Sequence, residues 1–560
     1  MCDGVRITDT SDLWWKSAVI YCLDIETFHD SDGDGIGDLG GLARRIDYLA
    51  ELGITCLWLM PFYPTPDRDD GYDLTDFYGV DPRLGTLGQL VEVIRTAHDR
   101  GINVIADLVI NHTSDRHPWF QASRRSTSNR YREHYVWRST EPPDTSELVV
   151  FPDREDSIWE RDERTGEWYL HNFYKHQPDL NLSNPEVVDE ILRVVGFWLE
   201  LGFDGFRVDG IPFLEQNAKN AGDTGLEVDP HELMRTIRSF LNRRTGWSMM
   251  LGEVNLPHEQ QLAFFGGDAA DELQMQFDFI GMQATYLALA REDAGPLVTA
   301  LQERPTIDAT CQWATFLRNH DELTLDKLTD GEREEVFAAF GPEPEMQLYG
   351  RGLKRRLPTM LGGDPRRIRM AYSLMFSLPG TPTLYYGEEI GMGEDLEADG
   401  RMAVRTPMQW SAGRNGGFSS AIPSRLVQRV VPDGYGPEHV NVVDQMHDPD
   451  SLWSFIRKLI SIRRTCPELG WGTWTVLDQP EPRVLVQRCS VEGSAVITVH
   501  NLGADPVTVD VPVDPDDAGL EAVDLMAEEL VTGGPTTRIA LEGYGFRWLR
   551  VRPAGDLAIP

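Results

Sequence analysis

The chain has 560 residues, a formal net charge of −38 at pH 7, 41% hydrophobic residues and 25% charged residues. This composition excludes a disordered chain, and the length suits one large catalytic domain with one or two smaller domains. The acidic excess argues against nucleic acid and anionic membranes as partners, because both require basic protein surface, and it is compatible with a neutral substrate.

The sequence also predicts the compartment. No run of about 18 apolar residues occurs, so no transmembrane helix is expected. The N-terminal residues MCDGVRITDTSDLWW lack the basic start and apolar core of a secretory signal. The six cysteines show neither the spacing of a metal site nor a disulfide framework. We therefore expect a cytoplasmic protein with reduced thiols.

The first part of the chain alternates short apolar runs with longer amphipathic segments. The apolar runs predict strands at residues 18–25, 54–61 and 102–112. The amphipathic segments between them predict helices at residues 40–53 and 86–101. Apolar runs without polar alternation indicate strands that are buried on both faces, as in a parallel sheet.

The same alternation resumes further along the chain. Helices are predicted at 187–202 and 231–244, and each is followed by a short apolar strand that ends in GFRVD or GEVN. Two later strands lie in CQWATFLRNHDE and TPTLYYGEEI. About eight such units over roughly 450 residues predict an α/β fold, a (β/α)8 TIM barrel. We assign this barrel to residues 1–112 and 185–474.

Three segments depart from the alternation. Residues 113–184 are rich in aromatic, Arg, Pro and Asp residues and predict an inserted subdomain after the third strand. Residues 322–362 resemble a second insertion. Residues 475–560 contain short alternating runs such as SAVITVHNL and VTVDVPV, which predict a C-terminal antiparallel β-sandwich.

Polar residues follow the predicted strands at their carboxyl ends. A single acidic residue in such a place is more often a turn or helix cap than a functional group. The carboxyl ends of barrel strands meet at one face, however, and this face carries the active site in TIM barrels. The polar residues are Tyr72 and Asp73 after the second strand, Asp107, Asn111 and His112 at the third, Arg207 and Asp209 at the fourth, Glu253 at the fifth, and His320 and Asp321 at the seventh.

Carboxylates grouped with histidines and one arginine suit glycosidic bond chemistry, in which one carboxyl attacks and another transfers a proton. Arg207 lies two residues before Asp209 and therefore points to the same face of the strand. Its charge would hold Asp209 ionised, as a nucleophile requires. Glu253, near other carboxylates and partly desolvated, is expected to hold its proton more tightly, as an acid requires.

The segment DSDGDGIGD predicts a cation site. It places oxygen ligands at positions 1, 3, 5, 7 and 9, the spacing with which a loop wraps one cation. The ligands would be the side chains of Asp30, Asp32, Asp34 and Asp38 and the backbone carbonyl of Ile36. Position 12 is Gly41 rather than glutamate, so the loop is not an EF-hand. We expect structural Ca²⁺ or Mg²⁺, the alternative being a solvated acidic turn. No organic cofactor is expected, because no glycine-rich phosphate loop links a strand to a helix.

The ordered motifs ADLVINH, QPDLN, GFRVD, GEVN and FLRNHD resemble those of glycoside hydrolase family 13, the α-amylase family. The resemblance covers nearly the whole chain. It implies that Asp209 is the nucleophile, Glu253 the general acid/base and Asp321 the third carboxylate, which stabilises the transition state. The further residues that it implies in sugar binding are Tyr72, Asp73, His112, Gln177, Arg207, His320 and Arg405.

Within the family, QPDLN and VRTPMQW are similar to the α-glucosidase side, where Asp73 and Arg405 would bind the terminal glucose and close the pocket. The stretches DDGYDLTDF, YKHQPDLNLSNP and FSLPGTPTLYYGEEIGMG resemble the trehalose synthase branch. That branch isomerises maltose to trehalose with side hydrolysis, and its members often self-associate, so a homo-oligomer is one expectation. The alternative is a retaining, exo-acting α-glucosidase or transglucosidase on another small α-glucoside.

The resemblance also implies a second cation site, with Asn111 and Asp179 as ligands and Glu215 near the position of a third. Some positions depart from the family pattern. Gly210 and Gly252 stand where alanine is usual, Tyr21 is followed by Cys-Leu-Asp-Ile-Glu, and the residues before VRTPMQW differ. A barrel that has lost catalysis and only binds a partner is disfavoured, because Asp209, Glu253 and Asp321 are all present.

Overall fold

The computed structural model describes residues 13–214, 229–491, 493–513, 519–531 and 535–553. Its strands are β1 Ile20–Leu23, β2 Cys56–Leu59, β3 Asn103–Leu108, β4 Trp137–Arg138, β5 Trp159–Arg161, β6 Trp168–Leu170, β7 Gly205–Val208, β8 Met249–Gly252, β9 Met275–Phe277, β10 Gln312–Phe316, β11 Leu323–Thr324, β12 Gln347–Leu348, β13 Gly352–Leu353, β14 Thr381–Tyr385, β15 Thr473–Val476, β16 Val484–Val491, β17 Ser494–Asn501, β18 Val507–Pro512, β19 Leu520–Asp524, β20 Glu529–Val531, β21 Thr536–Leu541 and β22 Phe546–Pro553.

The helices of the described chain are mostly short. They are α1 Ile25–Phe28, α2 Leu39–Ala43, α3 Ile46–Leu52, α4 Leu87–His98, α5 Pro118–Ser123, α6 Pro185–Glu200, α7 Pro230–Arg244, α8 His258–Ala263, α9 Phe279–Arg291, α10 Gly295–Glu303, α11 Asp330–Phe340, α12 Leu357–Met360, α13 Pro365–Ser377, α14 Val442–Met446, α15 Leu452–Arg464 and α16 Pro467–Trp471. No helix among these residues is long and apolar enough to span a membrane.

Eight strands form a closed barrel in the order β1-β14-β10-β9-β8-β7-β3-β2. The strand pairs β2–β3, β3–β7, β7–β8, β8–β9 and β10–β14 are parallel. Barrel strands such as β2 and β7 are buried along their whole length, as their apolar runs predict. Gly205 permits the close approach of β7 and β8, because a Cβ there would lie 2.2 Å from the carbonyl oxygen of Met249. The predicted (β/α)8 barrel is confirmed.

The chain packs as two compact units. One contains Cys22–Asp47 and Cys56–Phe277, and so holds β2, β3 and β7 to β9 together with the segment 113–184. The other contains Tyr48–Thr55 and the chain from Asp278 onward, and so holds β10, β14 and the C-terminal sheets.

In the first unit, the segment 113–184 contains the three-stranded antiparallel sheet β4-β6-β5. A small apolar core of Val136, Ile158, Trp159 and Leu170 lies under this sheet. Because these strands are only two or three residues long, the alternation that reveals longer strands is absent from the sequence. The exact limits of the three domains stay a prediction.

In the second unit, residues from β15 onward form a six-stranded antiparallel sheet, β15-β16-β17-β22-β19-β20, and a two-stranded sheet, β18-β21. The inward residues of both sheets, such as Val486, Ile497, Val509 and Ile539, share one apolar core. The predicted C-terminal antiparallel β-sandwich is therefore confirmed. Residues 322–362 contain a further small sheet, β11-β13-β12.

Candidate active site

Strand β7 places a buried arginine among three carboxylates. Nη1 of Arg207 donates to Oδ1 of Asp107 at 2.8 Å and also to the carboxylate of Asp209. Nη2 donates to Oε2 of Glu253 at 2.6 Å. The side chain of Arg207 is 1% exposed, that of Asp209 10% and that of Glu253 24%. The two predicted reacting carboxylates are thus bound to the two Nη atoms of one planar guanidinium.

Glu253 also accepts a hydrogen bond from the backbone N–H of Gly210 at 3.3 Å. Hydrogen bonds from a cation and from a backbone amide both favour the ionised carboxylate. That Glu253 holds its proton more tightly, as a general acid requires, stays a prediction.

Asp107 at the end of β3 is a site residue to which the sequence motifs give no role. Its Oδ2 accepts hydrogen bonds from Nε1 of Trp58 at 3.1 Å and from the hydroxyl of Tyr72 at 3.0 Å. Burial raises the pKa of Asp107 to about 6, although Arg207 opposes the shift. The sequence places Asp107 only at the carboxyl end of a predicted strand. In the structure it is the register partner of Arg207 in the parallel pair β3–β7.

Tyr72 and His112 lie together beside this cluster. Nε2 of His112 lies 3.2 Å from the carbonyl oxygen of Tyr72. Burial lowers the pKa of His112 to about 4, so the ring is neutral at pH 7 and carries one N–H donor. The structure brings together five predicted site residues here: Tyr72, His112, Arg207, Asp209 and Glu253.

Asp73 is fully buried next to Arg68. Its Oδ1 accepts from the hydroxyl of Thr65 at 2.8 Å, and its Oδ2 accepts from Nε of Arg68 at 3.3 Å. Burial raises the pKa of Asp73, while these hydrogen bonds oppose the shift. The predicted sugar ligand Gln177 is buried as well, and its Nε2 donates to Oδ2 of Asp69 at 2.7 Å.

In the second unit, His320, Asp321 and Arg405 lie together after β10. Nε of Arg405 donates to the backbone carbonyl of His320 at 2.8 Å, and its Nη2 donates to Oδ1 of Asp321 at 3.2 Å. Arg401, to which the sequence motifs give no role, lies 2.8 Å from the same Asp321 oxygen and 2.8 Å from Oε2 of Glu322. Arg401, shortly before the VRTPMQW motif, and Arg405, within it, therefore both hold the carboxylate of Asp321.

Both clusters place carboxylates beside arginine and histidine side chains. The model of the α-amylase catalytic domain matches residues 23–338 and 353–472. The chain belongs to the α-amylase family, glycoside hydrolase family 13. The model of the sucrose hydrolase-like C-terminal domain matches residues 493–550, within the β-sandwich.

Individual members of the α-amylase family are similar over nearly the whole chain. The trehalose synthase of Pimelobacter sp. is 37% identical, with 96% of each chain covered. The oligo-1,6-glucosidase of Parageobacillus thermoglucosidasius is 30% identical, with 87% of this chain and 90% of the relative covered. The crystal structure of a trehalose-6-phosphate hydrolase variant of Bacillus licheniformis has a TM-score of 0.77 at 25% identity, covering 96% of this chain and all of that one.

The two glycines that depart from the α-amylase family pattern have local physical reasons. Gly210 has a φ of 58°, in the left-handed region that other residues avoid. A Cβ at Gly252 would lie 2.4 Å from Cδ1 of Leu273 and 2.9 Å from Cδ1 of Ile211. Larger neighbouring side chains therefore fill the space that an alanine methyl group would take at position 252.

The first predicted cation loop brings three of its ligands together. Carboxylate oxygens of Asp30, Asp32 and Asp38 all lie within 4.8 Å of one another. Partial desolvation and the neighbouring carboxylates raise the pKa of Asp32. Hard carboxylate oxygens in this number suit Ca²⁺ or Mg²⁺. Asp34 is outside the group, and its Oδ1 accepts from the backbone N–H of Ile36 at 2.8 Å.

The residues predicted for the second cation site are also neighbours. Nδ2 of Asn111 donates to Oδ1 of Asp179 at 3.1 Å, and Asn172 donates to the same carboxylate through its backbone and side-chain N–H groups. Hydrogen bonds from amide donors thus already stabilise the carboxylate of Asp179. Glu215 lies outside the described residues.

Proposed function

We propose that the protein transfers glucosyl units with retention of configuration through a covalent β-glucosyl-enzyme on Asp209. We further propose that its main reaction isomerises maltose to trehalose, with hydrolysis as a side reaction. The observation that carries the proposal is the binding of Asp209 and Glu253 to one buried guanidinium. The similarity to trehalose synthases over nearly the whole chain supports the choice of substrate.

In this mechanism, a carboxylate oxygen of Asp209 attacks the anomeric carbon while Glu253 gives a proton to the glycosidic oxygen. The bond between the anomeric carbon and the glycosidic oxygen breaks. Retaining enzymes hold these two carboxyl groups about 5–5.5 Å apart. Arg207 binds both carboxylates, Asp209 through Nη1 and Glu253 through Nη2, and so limits how far apart they can lie.

In the second step, the released glucose turns and presents its anomeric hydroxyl. Glu253, now ionised, takes the proton from that hydroxyl, and the glucose oxygen displaces Asp209 from the anomeric carbon. Water in place of the glucose gives hydrolysis. Isomerisation therefore depends on a closed pocket that keeps glucose inside and water outside.

Five further predicted site residues bind the sugar in this proposal. Asp321, fixed by Arg405 and Arg401, would accept hydrogen bonds from sugar hydroxyls that strengthen in the transition state. His112 and His320 would bind sugar hydroxyls, Tyr72 would contact a ring face, and Asp73 would bind terminal hydroxyls. The loop of Asp30, Asp32 and Asp38 would hold one structural Ca²⁺ or Mg²⁺ that supplies no step of the chemistry.

The alternative is an exo-acting α-glucosidase or transglucosidase on another small α-glucoside. The similarity to an oligo-1,6-glucosidase supports it. Both reactions use the same carboxylates and differ in the acceptor.

The deciding experiment is a product analysis by anomer-resolved NMR. The purified protein is incubated with maltose, with trehalose and with a panel of other α-glucosides. We expect trehalose from maltose with little free glucose, and no turnover by Asp209→Asn, which provides the matched control. Release of α-glucose without any trehalose would establish the alternative.

A further inference from the structure

Arg68 connects Asp73 to the segment 113–184. Its backbone N–H and its Nε donate to the Asp73 carboxylate at 3.1 and 3.3 Å. The other end of the same side chain reaches the inserted segment, where Nη2 donates to Oγ of Ser114 at 3.0 Å and to the carboxylate of Asp115. One arginine therefore bridges the predicted sugar-binding carboxylate and the start of the insertion.

A second contact joins the same two segments. Nε2 of Gln177 donates to Asp69, the residue after Arg68, at 2.7 Å. Oε1 of Gln177 accepts from the backbone N–H of Tyr174 at 3.2 Å. With protein partners at both ends of its amide, Gln177 acts on the loop rather than on the sugar.

The loop 65–73 needs such contacts because two of its non-glycine residues have left-handed backbone conformations. Asp67 and Asp70 have φ values of 61° and 50°, and Gly71 has 88°. A Cβ at Gly71 would lie 2.5 Å from the carbonyl oxygen of Pro61. Strained loop conformations persist only where surrounding contacts determine them.

We propose that Arg68 and Gln177 are positioning residues that anchor the loop 65–73 to the inserted segment and so hold Asp73 in place for the glucosyl unit. This inference rests on the proposed function. The anchored loop keeps the glucosyl pocket closed, so these residues set both the affinity for substrate and the share of glucosyl groups that water captures.

The charges explain why this contact matters more than an ordinary surface pair. Arg68 is 31% exposed and Asp115 28%, and an exposed ion pair contributes little by itself. Asp73, however, is fully buried, and a buried carboxylate that loses its cationic neighbour is strongly unfavourable. Loss of Arg68 therefore acts on Asp73 and not only on the surface.

The test compares Arg68→Met, Asp115→Asn, Gln177→Leu and the double variant Arg68→Met/Asp115→Asn. The readouts are KM and kcat for maltose and for 4-nitrophenyl α-glucoside, and the ratio of glucose to trehalose. The matched control is Arg100→Met. It removes an exposed ion pair in the same unit, in which Nε of Arg100 lies 2.7 Å from Oδ1 of Asp47. It should leave all values unchanged.

We expect Arg68→Met to raise KM roughly tenfold, the size of one lost charge-assisted hydrogen bond, and to raise the glucose share several-fold while kcat changes less. Asp115→Asn should give a smaller change in the same direction, and the double variant should equal Arg68→Met, because the two residues act through one contact. Gln177→Leu should also raise the glucose share.

Wild-type values of KM and product ratio in Arg68→Met and Asp115→Asn, with only the unfolding temperature lowered, would overturn the inference. If Arg68→Met does not fold, Asp115→Asn and Gln177→Leu decide it by the same criteria. If the wild-type protein makes no trehalose, the proposed isomerisation is wrong, and KM for 4-nitrophenyl α-glucoside decides the inference independently.

Discussion

Asp107 and Arg207 are register partners on the paired strands β3 and β7, and Nη1 of Arg207 donates to Oδ1 of Asp107 at 2.8 Å. Both side chains are fully buried. A buried guanidinium needs a partner that is itself fixed, and Asp107 is fixed by Trp58 and Tyr72. The orientation of Arg207 is therefore set by the barrel before any substrate binds.

Replacement of Arg207 by lysine should lower kcat/KM by more than about 10²-fold. Lysine keeps the charge, but its ammonium group cannot present two donors in a fixed fork to Asp209 and Glu253. Steady-state kinetics on maltose check this. The control is Arg304→Lys, a similar change at another buried Arg–Asp pair, with Asp278, and it should affect stability without this loss of activity. Activity within about twofold of wild type in Arg207→Lys would contradict the prediction.

Asp107→Asn should change how stability depends on pH. Because burial raises the pKa of Asp107 to about 6, above the ordinary aspartate value of 3.8, the folded state binds more protons than the unfolded state between these values. The contribution of Asp107 to the free energy of unfolding is thus fully present below about pH 4 and is lost as the pH rises through 6.

Urea unfolding of the wild type and Asp107→Asn across pH 4 to 7.5 measures this contribution. The stability of the variant relative to wild type should rise from pH 4 through pH 6 and become level only above about pH 7, where Asp107 is deprotonated in both states. A difference that is constant over the whole range would show that Asp107 does not titrate in this window.

Gly210→Ala should destabilise the protein by about 1 kcal/mol, because the φ of 58° disfavours any residue with a Cβ. It should also lower kcat, because the added methyl group would lie 3.3 Å from Cζ of Phe173 and the Gly210 N–H donates to Glu253. Chemical denaturation and kinetics measure the two effects.

The matched control for Gly210→Ala is Gly493→Ala. Gly493 has a φ of 83°, and among the described residues no atom beyond its chain neighbours lies within 4 Å of the position that a Cβ would take. The control should show a similar loss of stability and an unchanged kcat. If Gly210→Ala kept full activity, the backbone conformation and the free space at position 210 would not limit catalysis.

Removal of divalent cations should lower the unfolding temperature if the loop of Asp30, Asp32 and Asp38 holds one. Calcium at about 100 times its dissociation constant stabilises a protein by about 2.7 kcal/mol, so EDTA should lower the midpoint and added Ca²⁺ or Mg²⁺ should restore it. Asp32→Asn should reduce the response, whereas Asp510→Asn, at an exposed carboxylate in the β-sandwich, should not. An identical response of wild type and Asp32→Asn would place the cation elsewhere.

The barrel could be predicted from the sequence because most of its strands are continuous apolar runs. Strand β9 could not be recognised in this way, since it has only three residues and contains Gln276, which is buried in the barrel. The predicted helix at 40–53 is in fact two helices, α2 and α3. The segment is amphipathic throughout, and helical periodicity does not show where a backbone turns between two short helices.

The site residues that lie in sequence motifs could be predicted. The arginines that contact carboxylates far away in the sequence could not. Arg401 and Arg68 belong to segments whose spacing gives no hint of their partners, Asp321 and Asp115. The motif QPDLN predicts that Gln177 binds the sugar, yet its amide binds Asp69 and Tyr174. A motif gives the position of a residue, whereas its hydrogen-bond partners depend on which loops the fold brings together.

The single positive charge of Arg207 contacts three acidic side chains, Asp107, Asp209 and Glu253. When these are ionised, the cluster carries a net charge of −2 in a buried region, where water screens little of it. A phosphate ester adds nearly two further negative charges, and one pair of like charges about 8 Å apart costs about 2 kcal/mol at an effective dielectric constant of about 20. Such repulsion opposes the approach of an anionic group to this cluster, whereas a neutral sugar meets no such barrier.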